Sequence, residues 1–145
     1  MKIRIISLVS TVLLLSHATL LADDLPKAEK WENVNWYVMV FMKFKPGKIY
    51  EAEKFIEEHW VPVDEAAERT GIFGYDIVFG TWDSVVFFPL DGPEMLNWKI
   101  TPQDEKWWVA WVEHAGSMED STALFEEWNA LVHQTEVTLV RRRLD

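Results

Sequence analysis

Trp36-Tyr37-Val38-Met39-Val40-Phe41-Met42-Lys43-Phe44, closed by the turn residues Pro46-Gly47, decides how this chain folds. Aromatic and β-branched residues dominate the stretch and no charge interrupts it before Lys43, which is the composition of a strand. Side chains alternate across a strand, so Trp36, Val38, Val40, Met42 and Phe44 share one face and Tyr37, Met39 and Phe41 the other. Both faces are apolar and both need covering. One layer of helices covers only one of them.

After the turn, Ile49, Ala52, Ile56, His59, Trp60 and Val63 recur at spacings of three and four, with Glu51, Glu53, Lys54, Glu57 and Glu58 largely opposite, which predicts an amphipathic helix. Pro62 falls inside this pattern and predicts a kink or break near Val61, followed by a shorter helical piece from Val63 to Arg69 that ends at Gly71. Phe73, Tyr75, Ile77 and Phe79 then alternate along a second strand. A short link at Gly80-Thr81 leads into a third, Trp82 to Phe88, stopped by Pro89, and the two runs predict a hairpin.

From Glu94 to His133 the period is helical. Thr101, Pro102 and Asp104 form a helix start with a capping residue, a proline at the first helical position and an acid in the first turn. Gly116 marks its stop, and Ser117 with Asp120 starts another helix whose buried stripe is Leu124, Trp128, Leu131 and Val132. Thr135 to Arg141 closes the chain as a strand. The order β-α-β-β-α-β is the ferredoxin-like α+β plan, an antiparallel sheet with helices on one face and here an extra helix in the second connection. The uncovered face then calls for a second sheet, and another copy of the chain related by a two-fold axis supplies it. A homodimer is predicted.

The strand ending Met42-Lys43-Phe44-Lys45-Pro46-Gly47-Lys48, the helix after it and the second-strand start Gly71-Ile72-Phe73-Gly74-Tyr75 resemble the dimeric α+β barrel superfamily, in particular its NIPSNAP-like and antibiotic-biosynthesis-monooxygenase-like members. The resemblance runs from about Trp36 to Arg142. It implies a cavity between sheet and helices that takes small, often aromatic ligands. Among such proteins some are cofactor-independent oxygenases, some bind haem and many have no known activity, so the fold alone does not choose a chemistry.

The amino terminus reads as a signal rather than as fold. Lys2 and Arg4 precede an apolar run from Ile5 to Leu15 and the small and polar residues Ser16, His17 and Ala18, the order of a secretory signal peptide over residues 1–22. The run is shorter than the roughly 20 apolar residues a bilayer-spanning helix needs. Cleavage after Ala18 or after Ala22 remains open, and an uncleaved anchor is the rival reading. Without a lipobox cysteine, the cleaved chain is expected to be periplasmic or secreted with no stable membrane anchor. Residues 23–35 are a polar, extended lead-in, and the domain occupies 36–145.

Of the 145 residues, 14 are Lys or Arg and 24 Asp or Glu, a formal charge of −10; loss of Lys2 and Arg4 with the signal makes it −12. No basic run is present to neutralise phosphates, which excludes nucleic acid as a partner. The absence of cysteine removes disulfides, thiol nucleophiles and thiolate-bound metals. Neither Glu57-Glu58-His59 nor Glu113-His114 has a second histidine at helical spacing, so no metal site is predicted. No resident cofactor is predicted either, with haem bound through His59 or His114 kept as an alternative.

The candidate catalytic residues are His59, on the apolar stripe of the first helix, and Asp76, a carboxylate in mid-strand that is costly if buried without a cation such as Arg141 beside it. A core-edge histidine and a solvated aspartate are the plain readings of the same residues. Tyr37, Trp60, Tyr75, Trp108 and His114 are the candidate ligand-binding residues. His114 shares a helical face with Trp107 and Trp111, while adjacent Trp107 and Trp108 diverge, which leaves one of them outside the core. The nine tryptophans are spread along the chain and read as core and interface bulk. The expected function is binding of a small apolar or aromatic molecule by an exported homodimer, with oxygenase-like chemistry open. The alternative is a non-catalytic module for self-association or a protein partner.

Overall fold

The structure, a computed structural model, describes residues 26–144, and the predicted signal segment therefore lies outside the described residues. Two compact units divide between Glu32 and Asn33. The described part of the first, residues 26–32, has no regular secondary structure and is exposed.

The second unit is a four-stranded antiparallel sheet in the order β2-β3-β1-β4, built from β1 (Val34–Phe44), β2 (Phe73–Asp76), β3 (Ser84–Leu90) and β4 (Val132–Arg143). The helices are α1 (Ile49–Phe55), a π-helical turn (Ile56–Trp60), α2 (Val61–Ala66), a 3-10 turn (Pro93–Asn97), α3 (Pro102–Ala115) and α4 (Met118–Leu131). This is the ferredoxin-like order read from the sequence, with the central strand β1 paired on both sides. Met42 and Phe44, together with Val40 and Val86, point into a core with Ala52, Phe55, Val63, Ala110, Trp111 and Leu131 from the helices. That assigns the helix layer to the face bearing Val38, Val40, Met42 and Phe44.

The local signals at the helix ends operate as their chemistry requires. Thr101 Oγ1 accepts the Asp104 N–H at 3.0 Å while Asp104 accepts the Thr101 N–H at 3.1 Å, a reciprocal capping box. Gly116 takes φ 95°, a left-handed conformation open to glycine without a Cβ clash, and its N–H closes on Val112 O. Ser117 caps α4 by accepting the Asp120 N–H. At the other end of α4 no loop intervenes, and Leu131 passes straight into Val132 of β4.

Four expectations are corrected. Pro62 does not break the first helix. The π-helical turn lies just before it, and its wider loop absorbs the N–H that proline lacks and the carbonyl it would strike. α2 ends at Ala66, short of Arg69, and Glu68 at φ 55° rather than Gly71 makes the first left-handed turn after it. The second strand stops at Asp76, and residues 77–83 form a longer connection than the Gly80-Thr81 link, with Val78 and Phe79 each 98% exposed. Nor does Pro89 end β3, because β2 begins only at Phe73, opposite Phe87, so the missing N–H faces a side with no strand to bond.

Asp83 holds that connection in place. Its Oδ1 accepts Lys43 Nζ at 2.7 Å and its Oδ2 the Phe44 N–H at 2.8 Å, and the bond from Lys43 holds its carboxyl below the ordinary value. Trp82, beside it, lies 5.7 Å from the ring of Phe41.

Candidate functional site

The π-helical turn sets the site. A π turn winds more residues into one turn than an α-helix, so it shifts the side chains that follow it around the axis and changes which of them face α3. His59 and Trp60 sit at its end. Trp60 turns inward and stacks on Trp111 at 4.7 Å and on Trp107 at 5.5 Å, while Trp107 and Trp111 are parallel within 8°. Phe125 and Trp128 of α4 and Phe55 of α1 close around them. The space between sheet and helices is filled with aromatic rings.

His59, half-buried, points toward α3. Its Nδ1 lies 3.0 Å from Nε2 of the exposed His114. The ring centroids are 5.3 Å apart and the planes cross at 83°. The centroid separation exceeds the nitrogen separation by about a ring width, so both nitrogens lie near the line joining the rings, the arrangement of a straight N–H···N bond. Two lone pairs aimed at a shared metal would instead converge off that line. Among the described residues no group of three His, Asp or Glu side chains gathers to hold a metal ion.

Such a bond needs one imidazole lone pair, so the pair cannot hold a proton on all four nitrogens and keep it. Burial, and then the neighbouring His114, push the His59 pKa down, against the pull of Glu127 and Glu58. Both imidazoles line an open cleft of about 370 Å³ with Leu124 and Ala123 as apolar wall and Asp120 and Glu127 as carboxylates. The arrangement can exchange hydrogen bonds and a proton with a small molecule held against α4.

The other candidate residues fall elsewhere. Tyr37 is buried on the face of the sheet that no described helix covers, edge-on to Phe73 at 5.6 Å and Phe87 at 6.1 Å. Tyr75 is on the same face and 63% exposed. Asp76 is exposed at the end of the edge strand β2, so the burial cost that singled it out does not arise. Arg141 is on β4 at the opposite edge, three strand spacings across and six residues along the strands, more than about 20 Å away, and cannot pair with it. Arg141 instead lies over the ring of Trp36 at 5.5 Å. Trp108 is the outward member of its pair, 44% exposed, with Trp107 turned in.

Sequence reasoning missed the meeting of His59 and His114, 55 positions apart, because it depends on the π turn; Pro62 was its one visible trace. It also missed Asp64, whose Oδ1 accepts the Trp107 indole N–H at 2.9 Å. Burial holds that carboxyl above its ordinary value against the nearby Arg69.

No family profile matches the chain, and no curated protein sequence does. Among solved structures, a NIPSNAP family protein from Agrobacterium tumefaciens superposes with a TM-score of 0.52 at 9% identity, over 81% of this chain and 93% of that one. An uncharacterized NIPSNAP domain protein from Burkholderia xenovorans gives 0.46 at 13% identity, over 72% and 91%. At such identities the likeness concerns the fold, and this chain has the ferredoxin-like α+β fold of the NIPSNAP family protein from Agrobacterium tumefaciens.

Proposed function

We propose that the protein is an exported small-molecule-binding homodimer whose ligand site is the cleft at His59 and His114. The observation that carries this reading is the 3.0 Å contact of two imidazoles from different helices at the mouth of an open cleft. Its apolar wall suits a small aromatic body and its imidazole pair a polar substituent. The reading stops at binding: an oxygenase would enclose its substrate from water, and the enclosed part of this fold is filled by Trp60, Trp107, Trp111 and Trp128. Phenol and benzoate are suitable probes, followed through the imidazole Cε1 protons. Saturable shifts of both histidines, lost in His114→Ala, support the site, and no shift with either probe removes it. A haem titration without a Soret shift removes the haem alternative.

A second reading, self-association without a ligand, is favoured by the face of the sheet that no described helix covers. Tyr37, Phe73, Tyr75 and Phe87 form a continuous aromatic array there, with Phe73 and Phe87 stacked at 4.8 Å. Facing sheets of two copies would cover it. Sedimentation of the processed chain at micromolar concentration distinguishes dimer from monomer, and amino-terminal sequencing of protein recovered outside the cytoplasm tests export and the cleavage site.

A further inference from the structure

The stacked tryptophans do more than fill volume in one respect. Trp60, Trp107 and Trp111 are in mutual contact, with interplanar angles of 27°, 19° and 8°. Trp108, 44% exposed, meets Trp107 edge-on at 5.5 Å and so connects the stack to solvent. Overlapping π systems at such separations can pass an electron vacancy from ring to ring. Where it comes to rest depends on which indole can also lose its proton.

Here the rings differ. Trp111 is fully buried and its indole N–H has no hydrogen-bond partner among the described residues. Trp107 donates its N–H to Asp64 at 2.9 Å. Arg69, whose guanidinium carbon is 5.8 Å from the centre of the Trp107 ring, opposes a positive charge on that ring without opposing a neutral radical. Removing an electron from an indole turns its N–H from a very weak acid into one comparable with a carboxylic acid. A carboxylate already in hydrogen-bond contact is then the natural acceptor.

We propose that the Trp60–Trp107–Trp111 stack, reached through Trp108, is a redox site for one-electron oxidants of the oxidising-radical class, with Trp107 as the resting place of the vacancy and Asp64 as its proton acceptor. The oxidant takes one electron and is reduced. Trp107 breaks its Nε1–H bond, the proton goes to Asp64 Oδ1, and the products are a neutral indolyl radical and a neutral carboxylic acid. One electron from a small-molecule reductant, with return of the same proton, restores the starting state. The burial that raises the Asp64 pKa favours the transfer, because the carboxylate gains more by accepting a proton there than it would in water.

The test is pulse radiolysis of the full chain with azidyl radicals in limited amount, since neutral and cationic indolyl radicals absorb at different visible wavelengths. The neutral radical is expected to form at a rate independent of buffer concentration. In Asp64→Asn, which keeps a hydrogen-bond acceptor but no base, proton loss is expected to slow at least about tenfold and to become buffer-dependent. In Trp107→Phe the fast phase disappears. Unchanged kinetics in Asp64→Asn, or a fast phase that survives Trp107→Phe, overturns the proposal. Near-UV circular dichroism reports whether each variant keeps the stack. Should one of them unfold, a buffer-dependent deprotonation in the unaltered protein is by itself sufficient to overturn it.

Discussion

The two faces of the sheet use the same kinds of residue to different ends. On the helix side, Met42 and Phe44 are buried under α1 to α4, and tryptophans from three separate elements interlock behind them. On the other side, Tyr37, Phe73, Tyr75 and Phe87 touch each other, and no described helix covers them. Tyr37 and Val85 are buried there all the same, Tyr37 with the rings of Phe73 and Phe87 edge-on against it. Aromatic residues thus cover part of this face, while the outer ones, Tyr75 above all, stay in water. The first arrangement serves stability and the second leaves a surface.

The largest effect that separates the faces is expected from Trp111→Ala. It removes the fully buried ring of the stack and should cost about 3–5 kcal/mol in denaturant unfolding. A loss below about 1 kcal/mol, the range of surface changes, would put the two faces on an equal footing. Phe87→Ala, on the open side, is expected to cost about 1–2 kcal/mol, since its ring is only half-buried. If the faces of two copies pack together, this cost grows with protein concentration, and a concentration-independent value argues for a monomer. Asp83→Ala breaks two hydrogen bonds at the sheet end and should cost about 1–2 kcal/mol, measured against the unaltered protein at neutral pH.

Smaller still is the effect of pH through His59. Its folded pKa lies below the ordinary 6.5, so below that value the unfolded chain binds more protons than the folded one, and stability falls as pH drops through this window. In His59→Gln that part of the pH dependence is expected to vanish, as read from unfolding midpoints between about pH 5 and 7. Asp83, depressed in the folded state, adds a loss of the same direction but below about pH 4, so the two separate along the pH axis. Least of all, Tyr75→Ser should change chain stability by no more than about 0.5 kcal/mol while loosening any dimer built on that face.

Most of the fold was legible because its signals are local. Alternation fixed β1 and its two faces, and Thr101, Gly116 and Ser117 each act within four residues of where they sit. The errors came where a tertiary arrangement outweighed a local preference. Pro89 could stay in a strand only because its neighbour strand is short, and the apolar run Ile77 to Phe79 is loop because Asp83 ties the chain to β1. The site was half legible. His59 and His114 were named separately, each from its own helical face, but their pairing rests on a change of helical pitch that hydrophobic spacing does not report. Asp64 gave no signal at all, since an acid in the first turn of a helix is ordinary until a tryptophan from another helix donates to it.

That change of pitch means that the first helix carries one residue more than an α-helix joining the same two core faces would need. Deleting one residue from Ile56–Trp60 would let the segment wind as an α-helix with Ala52 and Phe55 still on the same side as Trp60 and Val63, because Phe55 and Trp60, five positions apart across the π turn, would become four apart. Pro62 would then stand inside an α-helix, with no N–H for the carbonyl four residues before it and its ring against that carbonyl. The extra residue thus accommodates the proline without turning the two core faces apart.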